Sequence, residues 1–220
     1  MISIDKKEYI LQKLVSEVKD ISDDNFWQGI EEIKIKDFLW MQNNYKPEVI
    51  VKACYSNEYI YVRFLVFEKK VTVHYLNVGD PVFKDSCVEF FINLFPKQTE
   101  EYFNIEMNAI GTIKMGYGIK RNRSYLTAID LKDMKVVTSI KKPIIGFHGS
   151  DHWKLYCAVP ISLFEKITNR KFKGDEAIGN FYKCGDETEF KHYGMWNMIN
   201  NPKPDFHLPE YFGKIIFDHS

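Results

Sequence analysis

Apolar residues in this chain recur mostly at every second position, in short runs separated by turn signals. Residues 49–55 and 59–67 form two such runs around Ser56-Asn57-Glu58 and predict a hairpin. In the second run, Y-I-Y-V-R-F-L-V-F, both faces are largely apolar, which predicts a central strand covered on both sides. Further strands are expected at 86–94, 102–108, 112–117, 135–140, 153–159, 178–183 and 214–217, with I-K-I-K at 33–36 as an edge strand. Pro160 stops one strand, and 161–167 reads as one or two helical turns. Residues 5–20 place Ile10, Leu11, Leu14, Val15 and Val18 on one helical face and predict a short helix. The sum is an all-β chain, an antiparallel β-sandwich of jelly-roll or immunoglobulin-like kind with short helical segments. No linker or repeat divides it, so residues 1–220 are expected to form one domain, with 1–40 as an N-terminal extension packed on it.

Residues 180–212 break the alternation. Aromatic rings, amides, histidines and acids are interrupted there by Pro202, Pro204, Pro209, Gly185 and Gly194. That composition predicts shaped loop, packed down as a cap or lining a binding surface.

Charge narrows the function classes. The 30 basic and 30 acidic residues cancel, which gives no general pull toward nucleic acid or an anionic membrane. No apolar run is long enough to span a bilayer, and the N-terminus M-I-S-I-D-K-K has no secretory h-region. The chain as it stands reads as cytoplasmic, or as extracellular if a leader preceded it. Cys54, Cys87, Cys157 and Cys184 lack the spacing of a metal knuckle.

Candidate chemistry lies on two neighbouring strands. In D-S-C-V-E-F-F-I, period-two geometry puts Asp85, Cys87, Glu89 and Phe91 opposite Ser86, Val88, Phe90 and Ile92. In Y-F-N-I-E-M-N, Tyr102, Asn104, Glu106 and Asn108 share one face. Antiparallel pairing would join Glu89 to the Asn104, Glu106 and Asn108 row, a polar face suited to sugar hydroxyls or simply a solvated surface. Arg121 and Arg123 follow in a basic turn and are candidate donors to ligand oxygens. Glu89 and Glu106 are also a candidate glycosidase pair, since cross-strand carboxyls reach the spacing a retaining enzyme uses. Asp85 with Glu89, or Asp80 with Asp85, are candidate calcium ligands, though structural hydrogen bonding explains each as well. His148, His152, Cys184, His192, His207 and His219 are scattered; Cys184 and His192 are close enough in sequence to meet. Met195, Met198, His192 and His207 are the conceivable axial ligands of a haem, and a partner-interaction surface is the remaining reading. Trp196 is either a platform for a pyranose ring or a core plug beneath the loop.

The phrases P-V-F-K-D-S-C-V-E-F-F, Y-F-N-I-E-M-N-A-I-G, N-F-Y-K-C-G-D, H-Y-G-M-W and P-D-F-H-L-P-E-Y-F-G resemble, in this order, the family 9-like carbohydrate-binding modules related to those attached to xylanases. The resemblance runs from about residue 40 to 217. It implies a non-catalytic β-sandwich that binds a mono- or oligosaccharide, and no nucleic acid or membrane. It also implies two aromatic residues clamping the terminal sugar, which match Phe83 and Trp196, with Glu89 in the polar contacts. Phenylalanine at 83 departs from the family's tryptophan and offers less stacking area. No cofactor is required by this reading; calcium is the one the family brings with it.

Overall fold

The computed structural model describes residues 6–15, 18–142, 145–147, 152–174 and 176–219. Its strands are β1 (Glu8–Lys13), β2 (Glu32–Ile35), β3 (Asp37–Phe38), β4 (Glu48–Tyr55), β5 (Tyr59–Phe67), β6 (Val71–Thr72), β7 (Cys87–Asn93) and β8 (Tyr102–Asn108). They continue with β9 (Ile113–Ile119), β10 (Asn122–Tyr125), β11 (Lys135–Thr138), β12 (Ile145–Phe147), β13 (Trp153–Pro160), β14 (Ala177–Cys184), β15 (Tyr193–Met195) and β16 (Gly213–Phe217). One helix, α1 (Ile161–Thr168), follows Pro160 and stops at Asn169, whose left-handed backbone (φ 51°) cannot continue it.

The strands form a curled sheet in the order β10-β9-β8-β7-β14-β16-β1-β4-β5-β13-β11, which folds over on itself as a sandwich. Its two halves face each other through alternate residues. Val88, Phe90, Ile92, Phe103, Ile105 and Met107 come from one side, and Val49, Val51, Val62, Phe64, Leu155 and Cys157 from the other. Phe181 of β14 joins them, stacked on Phe90 at 4.7 Å and edge-on to Phe64 at 6.3 Å. The hairpin of β4 and β5 forms as its sequence predicts, with Tyr55 opposite Ile60.

Two expectations are corrected. The segment at 5–20 contains no helix among its described residues; Glu8–Lys13 is a strand with Tyr9 and Leu11 buried and Ile10 exposed. It pairs in parallel with β16 and then with β4, so the sheet is mixed and not purely antiparallel. β1 is therefore inserted at the seam between the halves rather than laid on the outside. The following turn does pack outside: Ile21, Trp27 and Ile30 cover Cys54, Tyr61 and Tyr156, which gives β5 its second buried face. Asp5 and His148 lie outside the described residues.

Candidate functional site: a buried carboxylate floor under aromatic walls

The outer face of β14, β7, β8 and β9 carries the site. Register places Tyr182 opposite Glu89, Glu89 opposite Glu106, and Glu106 opposite Lys114, in one row across four strands. The face is not solvated. Glu89 is 3% exposed and Glu106 4%, because loops fold over them. They form the floor of a cavity of about 290 Å³ bordered by Phe83, Lys114, Arg121, Tyr125, Cys184, Asp186, Tyr193, Phe206 and His207.

Phe83 enters from a 3₁₀ turn, Val82–Lys84, that leads straight into β7. Phe206 comes from the loop before β16 and lies flat on Tyr182, rings 4.1 Å apart and 10° from parallel. Trp40 and Tyr193 brace Phe206 from further sides. Lys114 holds its ammonium 5.0 Å from the Phe83 ring centre and 4.8 Å from that of Tyr125. Arg121 pairs with Asp205 at 2.9 Å and ties the β9–β10 hairpin to the Phe206 loop. His207 meets the Tyr102 hydroxyl at 2.9 Å.

The floor is electrostatically loaded. Cys184 donates to Glu89 Oε1 at 3.0 Å, and Asn104 donates to Glu106 Oε1 at 2.7 Å. Glu106 Oε2 is buried without a hydrogen-bond partner. Burial, and then the opposing Glu106, push the Glu89 carboxyl well above the usual range. Burial raises Glu106 too, against the pull of Lys114. Burial also lifts Asp186 to about 6. His207 drops to about 3 because it is buried and surrounded by Arg123, Arg121 and Lys114. The cavity therefore offers carboxyl groups able to donate or accept, a neutral imidazole, and cations at the rim.

Of the residues singled out from sequence, Phe83, Glu89, Glu106, Arg121, Cys184 and His207 border the cavity. Asn104 stands behind it, bridging Glu106 and Arg123. Arg123 lies over the Tyr102 ring at 4.5 Å, also behind the lining. Trp196 is corrected. It is 3% exposed and packs in the sandwich core against Tyr9 and Phe181. A Cβ on Gly213 would sit 2.6 Å from its ring, so no gap remains there for a ligand. The open reading of Trp196 thus resolves to the core plug. Tyr193 and Phe206 occupy the wall instead; both lie in phrases quoted above, H-Y-G-M-W and P-D-F-H, so their identity was visible but their orientation was not.

The other nominated groups are committed elsewhere. Asp85 accepts from the backbone N–H of His74 and Tyr75 and from Asn108, and Asp80 accepts from Leu76 and Asn77. The donors to Asp85 occupy both of its oxygens, while those to Asp80 all fall on Oδ2. His192 turns away from Cys184, to Lys183 Nζ at 2.8 Å and the Phe190 carbonyl at 2.6 Å. Met195 Sδ accepts from Ile199 N–H, so the residues named for a haem do not converge. Lys183, His192 and Glu68 form a buried polar cluster on the core side of β14, closed by the Trp153 N–H. Among the described residues no helix is long and apolar enough to cross a membrane.

Comparison with known proteins now decides the family. The model of carbohydrate-binding family 9 matches residues 24–217. The chain belongs to this family. A candidate carbohydrate-binding protein from Bacteroides uniformis ATCC 8492 shares 27% identity with this family 9 chain over 97% of it and 100% of the other, with a TM-score of 0.87. Two structures of a family 9 module from Caldicellulosiruptor kristjanssonii, one with cellotriose and one with glucose, share 12% identity. They cover 96% of this chain and 93% and 96% of theirs, at TM-scores of 0.63 and 0.64, a likeness of fold. No curated protein matches this family 9 chain.

Proposed function

We propose that this family 9 chain is a non-catalytic saccharide-binding module whose ligand ring enters the cavity between Phe83 and Phe206. The observation that carries the reading is the unpartnered, buried Oε2 of Glu106 at the floor of an open, aromatic-walled cavity. A buried acceptor without a donor is costly, and a sugar hydroxyl supplies that donor. Ring faces take the C–H faces of a pyranose, while Glu89, Glu106, Asp186 and Arg121 take its polar rim. The glucose and cellotriose complexes of the Caldicellulosiruptor module make glucose and its short oligomers the first ligands to try.

The hydrolase reading is disfavoured by the family, whose description is of carbohydrate binding.

Isothermal titration with glucose, cellobiose, cellotriose and xylobiose tests the proposal, with Phe206→Ala and Glu106→Gln alongside. One aromatic contact is worth roughly 0.5–1.5 kcal/mol beyond buried area, so Phe206→Ala should weaken binding by about tenfold. Binding that survives both substitutions unchanged places the ligand elsewhere. Sugar release from any of these oligosaccharides by wild type, lost in Glu89→Gln, would reinstate the hydrolase.

A further inference from the structure

The cavity floor contains a second set of groups, of which only Glu89 is shared with the proposed sugar contacts. Cys87 of β7 and Cys184 of β14 stand directly opposite each other in register. Glu89 lies two residues along β7 on the same face. One ligand atom from each of the three, two sulfurs and a carboxylate oxygen, lies within 4.8 Å of the others, and all three residues are buried. No other group of this kind occurs among the described residues.

We infer that Cys87, Cys184 and Glu89 form a binding site for a thiophilic divalent ion of the zinc type. Two sulfur donors and one carboxylate are a recognised ligand set for zinc and a poor one for calcium or magnesium, which take oxygen. Tetrahedral zinc with bonds of about 2.3 Å to sulfur sets its ligand atoms roughly 3.5–3.8 Å apart. Atoms already within 4.8 Å, one sulfur–oxygen pair at 3.0 Å, need only small rotamer changes to meet it. The ligands sit on paired strands in the middle of the sheet, so the backbone geometry is fixed in advance. Glu89 and Cys184 border the open cavity, which supplies both an entry path and water for the fourth position.

Exchange of two thiol protons for one dication leaves the net charge of the floor unchanged, so binding adds no new buried charge beside the two carboxyl groups. Binding replaces each S–H proton by a metal–sulfur bond and releases those protons to solvent, with no change of oxidation state. The present thiol contacts, Cys184 to Glu89 and Cys87 to the Val88 carbonyl, are then given up.

This inference does not depend on the saccharide reading, and its test contains no sugar. Purified protein, reduced and stripped with chelator, is titrated with Zn²⁺, and separately with Cd²⁺ while the ultraviolet thiolate-to-metal band is followed. One equivalent should bind with a charge-transfer signal and a rise in melting temperature. Cys87→Ser and Cys184→Ser should each weaken Zn²⁺ by more than the ~10–100-fold that loss of a mere supporting partner costs. Glu89→Gln should weaken it while keeping the Cd²⁺–sulfur band. Cys54→Ser and Cys157→Ser, at buried thiols elsewhere, should leave the affinity unchanged. Wild type that takes up no stoichiometric Zn²⁺ and shows no Cd²⁺ band overturns the site, whether or not the serine variants fold. Zn²⁺ retained in full by both serine variants does so too.

Discussion

Trp196→Ala separates two roles that one tryptophan cannot combine. Its ring lies in the sandwich core, edge-on to Phe181 at 5.8 Å and to Tyr9 at 6.3 Å, against the backbone of Gly213. These neighbours belong to β14, β1 and β16, so the ring fills the seam where the N- and C-terminal strands meet. Truncating a fully packed aromatic costs about 3–5 kcal/mol, the transfer of the ring plus the cavity left behind. The upper half applies here, because strands on three sides limit collapse. For a domain of this size each kcal/mol shifts the melting temperature by roughly 2–4 °C, so a fall of about 10–20 °C is expected. Urea unfolding followed by tryptophan fluorescence measures the free energy, and calorimetry the melting point. Sugar titration in the cold, where the variant is still folded, should give an affinity within about twofold of wild type. Phe206→Ala should show the reverse signature, a large loss of affinity with a smaller loss of stability. A Trp196→Ala protein that melts like wild type but no longer binds sugar would refute the placement of this ring in the core.

Three further outcomes follow from groups around the cavity and behind it. His207 has its folded pKa at about 3, below the ordinary 6.5, so between those values the unfolded chain binds a proton that the folded chain refuses. Stability should be undiminished above pH 6.5 and fall as pH drops through that window, by at most ~1.4 kcal/mol per unit from this group. An imidazole NMR signal that titrates near pH 6 in the folded protein would contradict it. Lys183→Met should destabilise by about 3–5 kcal/mol by leaving Glu68 charged and buried, and adding Glu68→Gln should recover much of that; denaturant midpoints of the two variants decide. Sugar affinity should be the same with added calcium or with EGTA, since Asp85 spends both oxygens on N–H donors; a calcium-dependent isotherm would point to other ligands.

Local pattern carried the strands that pair with their sequence neighbours. Period-two alternation put Glu89, Asn104 and Glu106 on one face, and the short connection between β7 and β8 made their antiparallel pairing the simplest arrangement. Alternation alone could not say that this face is covered. Its lid comes from the loop at 200–208, about a hundred residues further on. The segment at 8–13 failed for a related reason. Tyr9 and Leu11 are spaced as one strand face requires, but the residue between them is the apolar Ile10, and Ile10, Leu14 and Val18 also satisfy a helical face. Only pairing with Lys214–Phe217 decides between the two. Trp196 and Phe206 are both aromatic residues in loop-like sequence. Which one enters the core is set by the register of β15 against β14, with Met195 opposite Tyr182 and the Trp196 N–H on the Phe181 carbonyl. The sequence motif located both rings without showing the direction of either.

The position of β1 also sets an order of events during synthesis. Its residues leave the ribosome near the start of the chain, yet their partners on β16 follow about 200 residues later. At roughly 5–20 residues per second that is a wait of about 10–40 s. Through that interval the hairpin of β4 and β5 can form, but the seam between the halves stays open, with Tyr9, Leu11 and the β16-facing edge of β1 lacking their final neighbours. Closure of the sandwich is thus a step that follows emergence of the last strand. A nascent chain stalled short of residue 213 exposes a sheet edge that a holdase would recognise, and the released chain does not.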